Sequence, residues 1–222
     1  MIPLKVNVPR STTPLVNLLI ISVNVVVFLY QVSLDPHAGT AFAYTYGMVP
    51  ARVELVLAGH GVTLGHAFSP LFTSMFLHGG WLHLIGNMWF LWVFGDNVED
   101  TLGHFNYLLF YLACGIGAGI THTVANLAST VPAVGASGAI SGVMGAFIVL
   151  FPTSRVLTLV PLLILFFTVH VPALLFLGYW FLIQFLSGLS SIGMQTTGGT
   201  AWWPHIGGFI LGAVLVLGSR RR

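Results

Sequence analysis

Charge is what this sequence has least of. Seven Lys/Arg and five Asp/Glu make up 5% of its 222 residues, where a soluble domain carries roughly 25%. A chain so poor in charge cannot clothe a water-facing surface, which excludes a soluble enzyme. Its net charge of +2 comes from few, scattered cations, so no nucleic-acid partner is expected. Cysteine is almost missing too: Cys114 stands alone, which rules out an intramolecular disulfide and any Cys-based metal cluster. The sequence holds no His-Glu-x-x-His motif, the signature of a zinc-dependent membrane protease. Asp96 and Asp100 fall at the end of an apolar stretch and the remaining Asp in a loop, which is not the buried pair that an intramembrane aspartyl protease requires. No metal and no cofactor is expected.

What remains is apolar. Hydrophobic residues make up 56% of the chain and the mean hydropathy is +0.95, so the lipid bilayer is the expected solvent. A crossing helix needs about 20 apolar residues, and six stretches qualify: residues 14–34, 81–102, 104–126, 136–151, 173–189 and 201–217. The expected fold is an all-α, polytopic bundle of six transmembrane helices, a single membrane domain over residues 1–222. Residues 35–77 are mixed, with Pro36, Pro50, Pro70, Arg52 and Glu54, and read as a long, partly inserted external loop. Pro161 and Pro172 interrupt residues 155–172, which read as an interfacial connection. The apolar run after Lys5 and Arg10 has no clear small-residue cleavage pattern behind it, which fits an uncleaved first span better than a signal peptide.

With six spans both termini share one side. Lys5, Arg10, Arg155 and Arg220, Arg221 and Arg222 then fall together, and only Arg52 lies opposite. Cationic residues collect on the cytoplasmic side, so both termini are expected there, in a plasma (cell inner) membrane.

This orientation makes the second, fourth and sixth spans enter from the external face. His83 and Asn87 lie in the first turns of the second, Ser137 opens the fourth, and His205 lies one turn into the sixth. Polar side chains inside a span face the bundle interior, so the four are expected in one shallow cavity. Gly138, Gly142 and Gly145 recur along the fourth span, and Gly208 and Gly212 follow His205 at plus three and plus seven. Small residues at such spacing let helix backbones approach closely. Packed together, the two glycine faces would bring Ser137 to His205.

A serine hydroxyl is a weak nucleophile until a base takes its proton, and His205 can be that base. The amides of Ser137 and Ala136 sit where helix N–H groups lack intrahelical partners and can donate to a developing oxyanion. His83 and Asn87, at i and i+4, can donate to it from one helix face. No carboxylate is positioned to orient His205, so the expected arrangement is a dyad. His60, His66, His78, His104, His122 and His170 read as loop, interface or packing residues, and Trp81, Trp89, Trp92, Trp202 and Trp203 as belt or packing residues.

In this order the motifs resemble those of the rhomboid family of intramembrane serine proteases. The matching pieces are His78-Gly79-Gly80-Trp81-Leu82-His83-Leu84-Ile85-Gly86-Asn87-Met88, then Gly95, Val98-Glu99 and Gly103. Gly135-Ala136-Ser137-Gly138-Ala139-Ile140-Ser141-Gly142 and His205-Ile206-Gly207-Gly208-Phe209-Ile210-Leu211-Gly212 complete the set. The resemblance implies Ser137 as nucleophile and His205 as general base and acid. It further implies His83 and Asn87 as oxyanion-side residues, Gly135 and Gly138 as backbone shapers, and transmembrane proteins, cut near their external ends, as substrates. The chain departs from the family pattern at Ser69-Pro70, where many members carry Trp-Arg, at Ser141, where some carry an aromatic, and at Pro204.

A substrate helix must unwind before its carbonyl can reach a serine, because its peptide groups are tied in internal hydrogen bonds. The fifth span and residues 190–200, with Gly193, Gly198 and Gly199, are the expected route of lateral entry. A non-catalytic rhomboid-like protein that binds transmembrane helices is the alternative. A small membrane transporter is a weaker one, since no inverted repeat stands out.

Overall fold

The computed structural model describes residues 1–162, 165–191 and 201–218. The chain opens with strand β1 (Ile2–Val6) and helix α1 (Leu15–Ser33). Four short helices follow, α2 (Pro36–Tyr46), α3 (Pro50–Leu57), α4 (Leu64–Phe68) and α5 (Pro70–Thr73), and then a 3-10 turn at Ser74–Phe76. Next come α6 (Trp81–Leu102), α7 (His104–Ala125) and α8 (Ser137–Leu150), strands β2 (Arg155–Leu162) and β3 (Leu165–Pro172), and finally α9 (Ala173–Ser190) and α10 (Trp202–Leu215). Residues 193, 198 and 199 of the expected entry loop and residues 220–222 lie outside the described residues.

The molecule is a mostly helical bundle with membrane character. Leu15–Ser33, His104–Ala125 and Ala173–Ser190 are long and apolar enough to cross a bilayer; Ser137–Leu150 and Trp202–Leu215 are apolar but shorter. At about 1.5 Å per residue the 14-residue α8 and α10 run about 21 Å, less than a ~30 Å hydrocarbon core.

Two readings need correction. Residues 35–77 are a chain of short helices rather than a loop, each proline opening a helix at its first position: Pro36, Pro50 and Pro70. Proline suits that position because its missing N–H would have no partner there. Residues 155–172 are an antiparallel hairpin, with Arg155 opposite Pro172 and Leu162 opposite Leu165, and β1 joins it along Val156–Leu159. The all-α expectation therefore omits a three-stranded sheet in the order β1-β2-β3. Val156, Thr158, Val160, Thr168, Val169 and Val171 are β-branched and favour extended backbone. Pro161, which would break a central ladder, lies beyond the stretch paired to β1.

The bundle is knotted by a buried carboxylate where α6 meets α1. Pro14 offers α1 no side-chain cap. Glu99, fully buried, accepts instead from the amides of Val16 at 2.9 Å and Asn17 at 2.7 Å. It satisfies orphan donors of the first turn and sits at the positive end of the helix dipole. His104 Nδ1 lies 2.5 Å from the same carboxylate. Asn17 donates to the Leu91 carbonyl and accepts from Tyr107 at 2.7 Å, so α1, α6 and α7 share one polar anchor. Arg10 pairs with Asp96 at this end, and Asn7 bonds to the backbone of Arg155.

Above this anchor, α8 and α10 pack backbone to backbone. A Cβ added to Gly208 would collide with the Gly138 carbonyl, one on Gly212 with the Gly142 carbonyl, and one on Gly145 with the Phe209 carbonyl. The glycine faces that carry Ser137 and His205 meet as expected.

Candidate active site

Ser137 is the first residue of α8, and the loop before it is held from the side. Met48 and Ala133 exchange both backbone hydrogen bonds, at 2.9 and 2.8 Å, and the Gly135 amide donates to the Ser74 carbonyl at 2.9 Å. The segment 35–77 thus supplies the clamp for the loop that leads into Ser137. Gly135 has φ of +132°, a region that L residues rarely adopt. A Cβ there would also lie 2.8 Å from His83 Nε2 and 3.6 Å from Ser137 Oγ. Backbone angle and proximity both demand glycine, and the proximity places His83 beside the serine.

His205 is buried on α10. Its Nε2 lies 2.8 Å from Ser137 Oγ and its Nδ1 lies 2.7 Å from the Gln184 side-chain oxygen. The amide oxygen can only accept, so Nδ1 carries the proton. Nε2 therefore has a free lone pair and accepts from the Ser137 hydroxyl, the protonation pattern a base needs before it removes a hydroxyl proton.

His83 accepts from the Gly79 amide through Nδ1 at 3.3 Å, which leaves the Nε2 proton directed toward Gly135 and the serine. Asn87 Nδ2 donates to His78 Nε2 at 3.0 Å and keeps a second N–H. His78 is held in turn by Gln31 of α1, which accepts from the His78 amide at 3.0 Å and donates to its carbonyl at 3.2 Å. Burial, reinforced by His83, pushes the His78 imidazole down to about 3, so it is neutral and able to accept from Asn87. Among the described residues no backbone acceptor takes the amides of Ala136 or Ser137. Ala136 itself is fully buried and can offer only its backbone. His83, Asn87, Ser137 and His205 line one cavity of about 270 Å³, together with Trp180 and Gln184.

The four polar residues picked out from sequence are thus brought together, and Gly135, Gly138, Gly142, Gly208 and Gly212 make the close approaches that bring them there. Three residues were missed. His78 read as a packing residue, yet it supports Asn87. Trp180, whose ring centre lies 5.8 Å from that of His205, has nothing in the sequence to set it apart from the other apolar residues of its span. Gln184 is a buried amide in an otherwise apolar helix, and this was the legible signal, because such a group inside a span needs a partner. Ser141, in place of an aromatic, donates to the Ser137 carbonyl at 2.6 Å and leaves that side of His205 to α9.

Known proteins are similar to this chain in sequence. A family model described as the Rhomboid domain matches residues 65–222. The chain is 31% identical over 151 residues to Rhomboid protein 1, mitochondrial, of Saccharomyces cerevisiae, covering 64% of this chain and 39% of that protein. It is 42% identical over 86 residues to Rhomboid protease GluP of Bacillus subtilis, covering 38% and 16%. It is 33% identical over 89 residues to the human Presenilin-associated rhomboid-like protein, mitochondrial, covering 39% and 24%. The matched stretches span well under two thirds of those relatives. The relatives include a named protease and proteins named only as rhomboid or rhomboid-like. By a domain match over more than half its length, the chain belongs to the rhomboid family.

Proposed function

We propose that this protein is an intramembrane serine endopeptidase that cuts transmembrane segments of other membrane proteins near their external ends. The observation that carries the reading is the 2.8 Å contact of Ser137 Oγ with His205 Nε2, in the tautomer that accepts. In the reaction Ser137 Oγ attacks the scissile carbonyl carbon and its proton passes to Nε2. The oxyanion is met by the amides of Ser137 and Ala136 and by the His83 and Asn87 side chains. Each such donor typically contributes on the order of 10²–10³ in rate. His205 then protonates the leaving amine, the C–N bond breaks, and an acyl-enzyme remains. A water molecule, deprotonated by His205, releases the acid and restores the serine.

The short α8 and α10 support this role within a bilayer. A helix of about 21 Å cannot fill a ~30 Å core, so Ser137 begins its helix below the outer surface, at a depth water can reach through the cavity. We place α1, α6, α7, α9 and the shorter α8 and α10 in the membrane as its six spans, with both termini cytoplasmic, in a plasma (cell inner) membrane. The grouping of Lys5, Arg10 and Arg155 near β1 and β2, with Arg52 on α3 away from them, supports that orientation.

A fluorophosphonate probe tests the chemistry without a known substrate. It should label the wild type, and Ser137→Ala and His205→Ala should each abolish labelling and cleavage of transmembrane peptides. A wild type that stays unlabelled while it retains bound transmembrane peptide would establish a helix binder instead.

A further inference from the structure

We infer that Gln184 is the positioning residue of the His205 base, holding through its side-chain oxygen the tautomer that Ser137 requires. This rests on the Ser137–His205 reading and supplies the third member that the sequence alone leaves out.

The geometry is specific. Gln184 and Trp180 are i and i+4 on α9, so they present one face. Gln184 Oε1 accepts a hydrogen bond from Nδ1–H at 2.7 Å, and the Trp180 ring lies over the imidazole at 5.8 Å, tilted by 37°. One contact fixes which nitrogen is protonated and the other fixes the plane of the ring. Gln184 is buried, and its one hydrogen bond to another side chain among the described residues is to His205. Among the described residues no carboxylate reaches His205. Asp96, Glu99 and Asp100 bond at the opposite end of α6 to Arg10, His104 and the start of α1. Asp35 caps α2.

An amide suits this depth. A buried carboxylate inside a span would need its own counter-charge, whereas a neutral oxygen accepts without one. An amide has a hazard that a carboxylate lacks. Turned the other way, its NH2 would donate to Nδ1, drive the proton to Nε2 and disable the base; a wrong tautomer of that kind costs about 10⁴ in a serine hydrolase. The hydrogen-bonding direction of Gln184 is therefore the quantity to test.

The titratable groups whose charge reaches His205 are His83 from α6 and His122 from α7. The rest of α8, α9 and α10 carries no charged residue, and Tyr179 of α9 is exposed. A change at residue 184 is therefore the only charge change His205 meets in the variants below.

The experiment measures the second-order rate of fluorophosphonate labelling of Ser137 against pH, in the intact protein in detergent, for wild type, Gln184→Met and Gln184→Glu. Gln184→Met keeps length and apolar packing but accepts poorly. It should lower the maximal labelling rate about 10- to 100-fold, the usual loss when an orienting partner is removed, while the probe's apparent affinity stays within about twofold. Gln184→Glu keeps the acceptor and adds a charge beside the imidazolium. It should restore labelling to within about threefold of wild type at high pH and move the acid limb upward by about one unit or more. A purely structural role would lower the unfolding temperature in both variants and leave the acid limb in place.

Wild-type labelling by Gln184→Met with an unshifted limb overturns the assignment. So does a rate in Gln184→Glu about 10²-fold above wild type, because it would mean the native amide donates. Labelling of wild type but not of Ser137→Ala keeps the protease reading intact under either result; absence of labelling in all forms sinks the protease reading itself.

Discussion

Adding one methyl group to Gly208 should disable the site from a distance. The Cβ of alanine at this position has no space, because it would collide with the Gly138 carbonyl and lie 3.5 Å from the Ala118 Cβ. That carbonyl belongs to the first turn of α8 and is held by the helix backbone, so α10 must withdraw from α8, by roughly 1 Å. Overpacking of this kind costs about 1–3 kcal/mol, which a membrane bundle can survive. The site is less tolerant. Ser137 and His205 sit one turn or less from this contact and 2.8 Å from each other. A withdrawal of about 1 Å takes that hydrogen bond past the ~3.5 Å at which it is lost, and misplacement of that size costs about 10²-fold in rate.

The assay is the rate of fluorophosphonate labelling, and of cleavage of a transmembrane peptide, measured in detergent well below the unfolding midpoint so that only folded protein is compared. Gly178→Ala is the control, since a Cβ there meets nothing within 4 Å. It should label like wild type and unfold at the same or a slightly higher temperature, given alanine's preference for helix by about 1 kcal/mol. Folded Gly208→Ala that labels at the wild-type rate would refute the idea that the glycine seam sets the distance between serine and histidine.

Gly135→Ala should lose labelling by about 10²-fold or more and cost about 1–3 kcal/mol in stability, because φ of +132° and the 2.8 Å approach to His83 both oppose a Cβ; equilibrium unfolding and labelling rates check it. His78→Gln should weaken the hold on Asn87 and slow turnover about tenfold, a loss that peptide cleavage measures more directly than labelling. The same variant should flatten the acid dependence of stability. The folded value of His78 is about 3 against 6.5 for the free side chain. As pH falls below about 6.5 the unfolded chain takes up the proton first and the native state loses stability down to about 3. Unfolding midpoints at pH 7.5 and 5 should therefore differ less in the variant than in wild type.

Much of the bundle was legible because lipid imposes simple rules. Apolar length marks the long helices, and the observed bounds Trp81–Leu102 and Ser137–Leu150 fall within a residue of those read from sequence. The sheet was not legible, because β1 and β2 are about 150 residues apart in sequence and hydropathy carries no pairing information. The helices within 35–77 were too short for a period to establish itself.

From sequence alone came the membrane class, the rhomboid resemblance, and the placing of Ser137, His205, His83 and Asn87 at matching depths. The membrane class and the matching depths follow from residue type and position along each helix, and the resemblance from the order of the motifs along the chain. Only the tertiary structure decided which atoms touch: that Gln184 of α9 reaches Nδ1 of His205, that His78 holds Asn87, and that Met48 and Ser74 clamp the loop before Ser137. Those contacts join elements that are distant in the chain. Their distances depend on how closely the helices pack, which here is set by hydrogen atoms standing where side chains would otherwise be.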